Sequence, residues 1–190
     1  NNKYLEIYNG TGADIDLGSY LLLRANNGSA DLAGNVYSLS GSLAAGDVYV
    51  IANSGSDADA ILPYNDDDGT NNSVTYYNGD DFIGLAFDAD GSGTIELTEI
   101  VDAVGTLGED PGSAWDVAGV AGATAEHTLV RKPGMVDGNM GDWAMSAGTD
   151  AATSEWVVLN QNDWTGVGLH NNLPPCDLNQ FVITVGGATN

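Results

Sequence analysis

No segment of this 190-residue chain keeps a 3.6-residue apolar period over ten residues or more, so long amphipathic helices are not open to it. What recurs instead is a short alternating or β-branched run closed off by Gly, Asn, Asp or Ser. Such runs lie at Lys3 to Tyr8, Ser19 to Arg24, Val36 to Leu39, Val48 to Ala52, Phe82 to Phe87, Thr94 to Val104, His127 to Lys132, Glu155 to Leu159 and Gln180 to Val185. Short strands at this spacing, in a chain with 26 glycines, predict an all-β sandwich or barrel. The polar stretch Ser54 to Thr75 reads as a long loop with one helical turn around Ala58 to Leu62. With 43% hydrophobic residues, one domain with a full core is expected over 1–170. Residues 171–190 then form a linker, stiffened by Pro174 and Pro175, and a C-terminal strand.

Four Lys and Arg stand against 27 Asp and Glu, for a net charge of -23. Such a surface repels nucleic acid and anionic membranes and attracts divalent cations. An acidic surface that only keeps a protein soluble in salt accounts for the total equally well, so a cation argument needs a local site. No 18-residue apolar run predicts a membrane-spanning helix, and the sequence starts within a strand-like segment, so no leader peptide is expected in it. The single cysteine, Cys176, rules out an internal disulfide and a cysteine-based zinc site.

The local site is the segment Asp88 to Glu99, which reads Asp-Ala-Asp-Gly-Ser-Gly-Thr-Ile-Glu-Leu-Thr-Glu. Calcium takes six to eight oxygen ligands, and a twelve-residue loop of the EF-hand kind supplies them from positions 1, 3, 5, 7, 9 and 12. Those positions hold Asp88, Asp90, Ser92, Thr94, Glu96 and Glu99, with Gly93 at the sharp sixth position and apolar Ile95 at the eighth. The flanks read as strands, which puts this EF-hand-like loop at a hairpin tip instead of between helices. The competing reading is an acidic turn that is merely solvated.

Other polar clusters carry less. Asp66, Asp67 and Asp68 with Asn65, Asn71 and Asn72 follow no ligand spacing, and His127 and His170 lack the pattern of a zinc site. There is no Gly-x-Ser-x-Gly elbow and no phosphate-binding glycine loop, so a non-catalytic chain is expected. Trp143 and Trp164, in Gly- and Asn-rich surroundings, are the candidates for a carbohydrate platform.

Five segments in order resemble the lamin-tail domain in its bacterial secreted form. They are Tyr4 to Asn9 with Gly12 to Leu17, Leu43 to Ala52, Asn78 to Asp81, Asp110 to Trp115, and His127 to Pro133. The resemblance runs from about residue 3 to His170 and implies an immunoglobulin-like β-sandwich at the cell surface or outside the cell, with no catalysis of its own. Relatives carry one more strand before the segment that begins here, and the run Gln180, Phe181, Val182, Ile183, Thr184, Val185 does not match the family's usual end. One expectation joins both departures: the C-terminal run of one molecule completes the sheet of another and builds a homopolymer by strand addition. The rival is a tail that pairs within its own sandwich. Two alternatives from other classes are an accessory domain of a secreted nuclease and a carbohydrate-binding module.

Overall fold

The computed structural model describes residues 2–67, 73–135, 137–170 and 181–186, the last segment mainly through its backbone. Eleven strands run through them, all of whose pairings are antiparallel: β1 Tyr4–Asn9, β2 Ile15–Asp16, β3 Tyr20–Ala25, β4 Val36–Ser38, β5 Ser42–Leu43, β6 Val48–Ala52, β7 Phe82–Phe87, β8 Ile100–Val104, β9 Thr128–Arg131, β10 Trp156–Leu159 and β11 Phe181–Gly186. One sheet has the order β10-β9-β11-β1-β6 and another β4-β3-β7-β8, while β2 and β5 form a two-stranded ribbon. The all-β expectation therefore holds. The one α-helix among the described residues, α1, spans only Trp143–Ala147 and is capped by the Asp142 carboxylate accepting from Met145 N.

Both large sheets feed one core. Leu5 and Ile7 of β1, Ile51 of β6, Leu129 of β9 and Trp156 of β10 meet Leu22 of β3, Ile83 and Leu85 of β7 and Val104 of β8. Each such side chain withdrawn from water contributes about 1.5–3 kcal/mol, and their alternation along the strands fixes which face turns inward. The other face of the five-stranded sheet is covered as well: Tyr4, Tyr8, Val48, Val50 and Ala52 pack beneath Ile61, Val167 and half-buried Trp164. That second layer explains why all six residues of β1 are buried, where alternation predicted a half-exposed strand.

The run Gln180 to Val185 is the point where topology bears on function. Its described part is β11, seated between β1 and β9 of its own sheet, with Glu6 opposite Thr184 and Leu129 opposite Val185. In this chain the tail thus pairs internally. The Tyr77 hydroxyl, itself buried, donates to the carbonyls of both Tyr4 and Gly186 and ties the start of β1 to the end of β11. Gln180, the proline linker and Cys176 lie outside the described residues.

Two local expectations need correction and one is met. The stretch from Thr94 is not strand until Ile100: residues 94–96 are irregular and Leu97–Glu99 form a 3-10 turn before β8 begins. The turn expected near Ala58 to Leu62 is present, closed by Ile61 N donating to Asp57 O at 3.1 Å, and a 3-10 turn at Leu62–Tyr64 follows it, where Pro63 suits the first positions of a helical turn; a second 3-10 turn spans Ser73–Tyr76. Trp143 is not a loop residue at the surface. At 3% exposure it sits on α1 in the core, its ring 6.4 Å from that of Trp115 and 6.0 Å from that of Trp156.

Candidate functional site

The segment from Asp88 to Glu99 connects β7 to β8, and its ends are pinned before any ion is considered. Asp88 N donates to Ser19 O at 2.9 Å, and Ala86 pairs with Ile100 across the hairpin. Between these anchors the chain must reverse tightly, which it does by taking positive φ at Gly91 (68°) and Gly93 (72°). A Cβ at either position would touch nothing, so glycine is required there by backbone conformation alone.

The reversal turns backbone N–H groups toward the carboxylates and so fixes where the carboxylates stand. Ser92 N donates to Asp88 Oδ1 at 3.1 Å and to Asp90 Oδ1 at 2.9 Å, and Gly93 N donates to Asp88 Oδ2 at 2.9 Å. Glu99 reaches back from the 3-10 turn. Its Oε1 accepts from Ala89 N at 3.1 Å and its Oε2 from Glu96 N at 3.0 Å. Ser92 Oγ donates to the Thr94 carbonyl at 3.1 Å.

The result is a group able to hold a metal ion: one carboxylate oxygen from each of Asp88, Asp90 and Glu99 lies within 4.8 Å of the others. Asp88 is 9% exposed, Glu99 half-buried and Asp90 exposed, so the group opens to solvent on the Asp90 side. Hydrogen bonds from Ser92 hold the Asp90 carboxyl below the ordinary carboxylate range, which keeps it charged. Of the six ligand positions read from the sequence, the structure brings these three carboxylates together; Ser92, Thr94 and Glu96 are exposed along the same loop. No helix leaves the loop, and Glu99 is delivered instead by the 3-10 turn, which supplies about one helical turn of backbone.

The electrostatics of the group follow from where the four basic side chains go. Arg24 pairs with Asp81 at 3.0 Å, and Arg131 pairs with Asp102 and Glu155. Lys132 donates to the carbonyls of Ala151 and Ser154, and Lys3 lies over the Tyr77 ring. Among the described residues no cationic side chain pairs with Asp88, Asp90 or Glu99. Three mutually repelling carboxylates are thus held together by backbone N–H groups without a counter-ion from the chain.

The other candidates fall differently. Asp66 and Asp67 are used inside the fold, Asp66 Oδ2 accepting from Val50 N at 2.8 Å and Asp67 from the Tyr37 hydroxyl; Asp68, Asn71 and Asn72 lie outside the described residues. His127 Nδ1 meets the Leu159 carbonyl at 2.8 Å, and His170 stacks on Tyr8 at 4.4 Å with its pKa lowered by burial. Sequence reasoning missed the buried charges around Arg131. The one available signal was a lone Arg in an otherwise apolar strand, Thr128–Arg131. No family model, curated protein or solved structure matches the chain, so the site is read from its own residues.

Proposed function

We propose that this chain is a non-catalytic, calcium-binding structural module of the cell surface or the extracellular space. The observation that carries the reading is the convergence of Asp88, Asp90 and Glu99 on a loop whose two positive-φ glycines aim three carboxylates at one point. The donor set is all oxygen, which suits a hard cation, and three carboxylates favour a divalent one. Thr94 would add its backbone carbonyl, while Ser92 and Glu96 would act directly or through water. Calcium would supply the positive charge that the loop lacks and stiffen the β7–β8 connection; a hairpin setting offers no helix pair to open, so the ion stabilises and does not signal. The free calcium of extracellular media suits a site of modest affinity, with Kd on the order of 0.1–1 mM. Titration calorimetry tests this: one calcium per chain with the parent and none with Asp88→Ala. Equal binding by both would refute the assignment.

We read the two antiparallel sheets that share one core as an immunoglobulin-like sandwich of the lamin-tail kind, with β11 in the slot between β1 and β9. The same slot invites exchange, because a strand at the chain's C-terminal side that pairs with β1 over six residues makes identical bonds when a second copy supplies it. Such head-to-tail exchange builds a homopolymer. Mixing a Glu6→Cys chain with a Thr184→Cys chain, both in a Cys176→Ser background, reads it out. These residues face each other across β1 and β11, so exchange gives a disulfide-linked heterodimer, whereas internal pairing leaves monomers.

A further inference from the structure

Glu6 occupies the middle of β1 and points away from the core, toward a face that the segment around Asp163 to His170 covers. It is 3% exposed, and Gly168 N donates to its Oε2 at 2.8 Å. Gly168 has φ 78°, and a Cβ there would stand 2.3 Å from the Tyr64 ring, so only glycine brings this N–H so close to the sheet. Beside Glu6 the covering segment leaves a cavity of about 210 Å³ between itself and β1, β9, β10 and β11. Its polar lining includes Glu6, Asp163, Thr128 and Thr184, and its apolar walls include Val130 and Val157.

The chemistry of this lining is one-sided. The Glu6 carboxylate and two threonine hydroxyls offer acceptors, beside the Tyr4 hydroxyl and an Asp163 carboxylate that already accepts from the Thr165 hydroxyl. Arg131 also borders the cavity; its two terminal guanidinium nitrogens pair with Asp102 and Glu155 and the group stacks on Trp156 at 4.1 Å on the core side of β9, while its Nε has no hydrogen-bond partner among the described residues. The Thr128 hydroxyl donates to the Asp163 carbonyl at 3.0 Å and also bonds the Tyr4 hydroxyl, so its oxygen has one further lone pair to offer. An anion would meet two carboxylates. An ammonium carries three donors and a positive charge, and the apolar walls suit the methylene stem behind it. The volume lies below the roughly 300 Å³ at which drug-sized pockets begin, so the occupant is small.

We propose that this cavity binds a primary alkylammonium group, with Glu6 as the counter-ion, Thr128 and Thr184 as hydrogen-bond acceptors, and Val130 and Val157 as walls for the alkyl stem. Burial pushes the Glu6 carboxyl up to about 7 against the opposing bond from Gly168, and Asp66, beyond β6, pushes in the same direction as burial. The other charged or titratable groups facing Glu6 are Tyr4 on its own strand, Asp163 and His170 of the covering segment, and Arg131 on β9. A bound cation favours the ionised carboxyl. Binding below pH 7 therefore releases a proton, and affinity rises about tenfold from pH 6 to pH 8.

Calorimetry of the full chain with n-butylammonium tests this, with n-butanol as the neutral control and N-acetyl-lysine-methylamide as the arm that separates a free amine from a lysine side chain. The proposal expects n-butylammonium to bind at least about tenfold tighter than n-butanol, with the stated pH dependence. Glu6→Gln should lower its affinity by a similar factor and abolish the pH dependence. Val157→Trp, which fills the cavity from its β10 wall and leaves Glu6 in place, should block binding even if the Gln variant does not fold. Tighter binding of the lysine derivative assigns the site to a partner's side chain, and tighter binding of the free amine to a small metabolite. Equal affinity for n-butanol and n-butylammonium, an affinity that does not change with pH, or no binding by either would overturn it.

Discussion

Two groups of acidic side chains in this molecule solve the same repulsion in opposite ways. Asp102 and Glu155 face Arg131, whose side chain is fully buried, and Asn139 N adds a further donor to Asp102 at 3.0 Å. Asp88, Asp90 and Glu99 converge on an open loop with backbone N–H groups and the Ser92 side chain as donors, and with no cationic side chain among the described residues. The first group carries its cation in the chain and is insulated from the medium. The second has no cation from the described residues, and a cation taken from the medium, as proposed above, would open its stability to the composition of that medium.

The difference is broken most violently at Arg131. Arg131→Met leaves Asp102 charged and buried without its partner, and urea unfolding should show a loss of about 3–5 kcal/mol; adding Asp102→Leu should recover much of it. Next in size is Glu6, a buried acid that forms no ion pair among the described residues. Its folded pKa is raised to about 7, so the unfolded chain loses its proton first as pH rises. Stability should then fall between about pH 4.5 and 7 and level off above, by roughly 3 kcal/mol, and Glu6→Gln should flatten that slope. Smaller again is Gly93→Ala, which forces a side chain into positive φ. It should cost roughly 1–2 kcal/mol without calcium, and somewhat more with it as the ligands lose alignment. The smallest change is Ser92→Asp, which adds a charged ligand at the fifth loop position and should tighten calcium several-fold while leaving the calcium-free midpoint nearly unmoved.

How much of this was legible in the sequence depends on how local the cause is. The strands at Tyr4–Asn9, Tyr20–Ala25, Val48–Ala52 and Phe82–Phe87 follow from alternation and turn residues that lie side by side. The carboxylate register of Asp88, Asp90 and Glu99 is local too, since spacing and two glycines set it. The 3-10 turn at Leu97–Glu99 was hidden because the apolar and β-branched residues in and around it, Ile95, Leu97, Thr98, Ile100 and Val101, read as strand. Trp143 was misplaced because its burial is decided by Trp115 and Trp156, distant in sequence. Glu6 looked like the outward residue of a half-exposed strand, and only the covering segment around Gly168, 162 residues away, shows that it is buried. The pairing of β11 with β1 is of the same long-range kind.

The most direct test of the calcium site is a set of four thermal melts: the parent and Asp88→Ala, each with saturating calcium and with EDTA. An ion that binds only the folded chain stabilises it by about 1.4 kcal/mol at ten times its Kd and about 2.7 kcal/mol at one hundred times. The parent midpoint should therefore rise with calcium concentration, while that of Asp88→Ala should be the same in both media. A parent that melts identically with calcium and with EDTA, or an Asp88→Ala chain that responds as the parent does, would contradict the account.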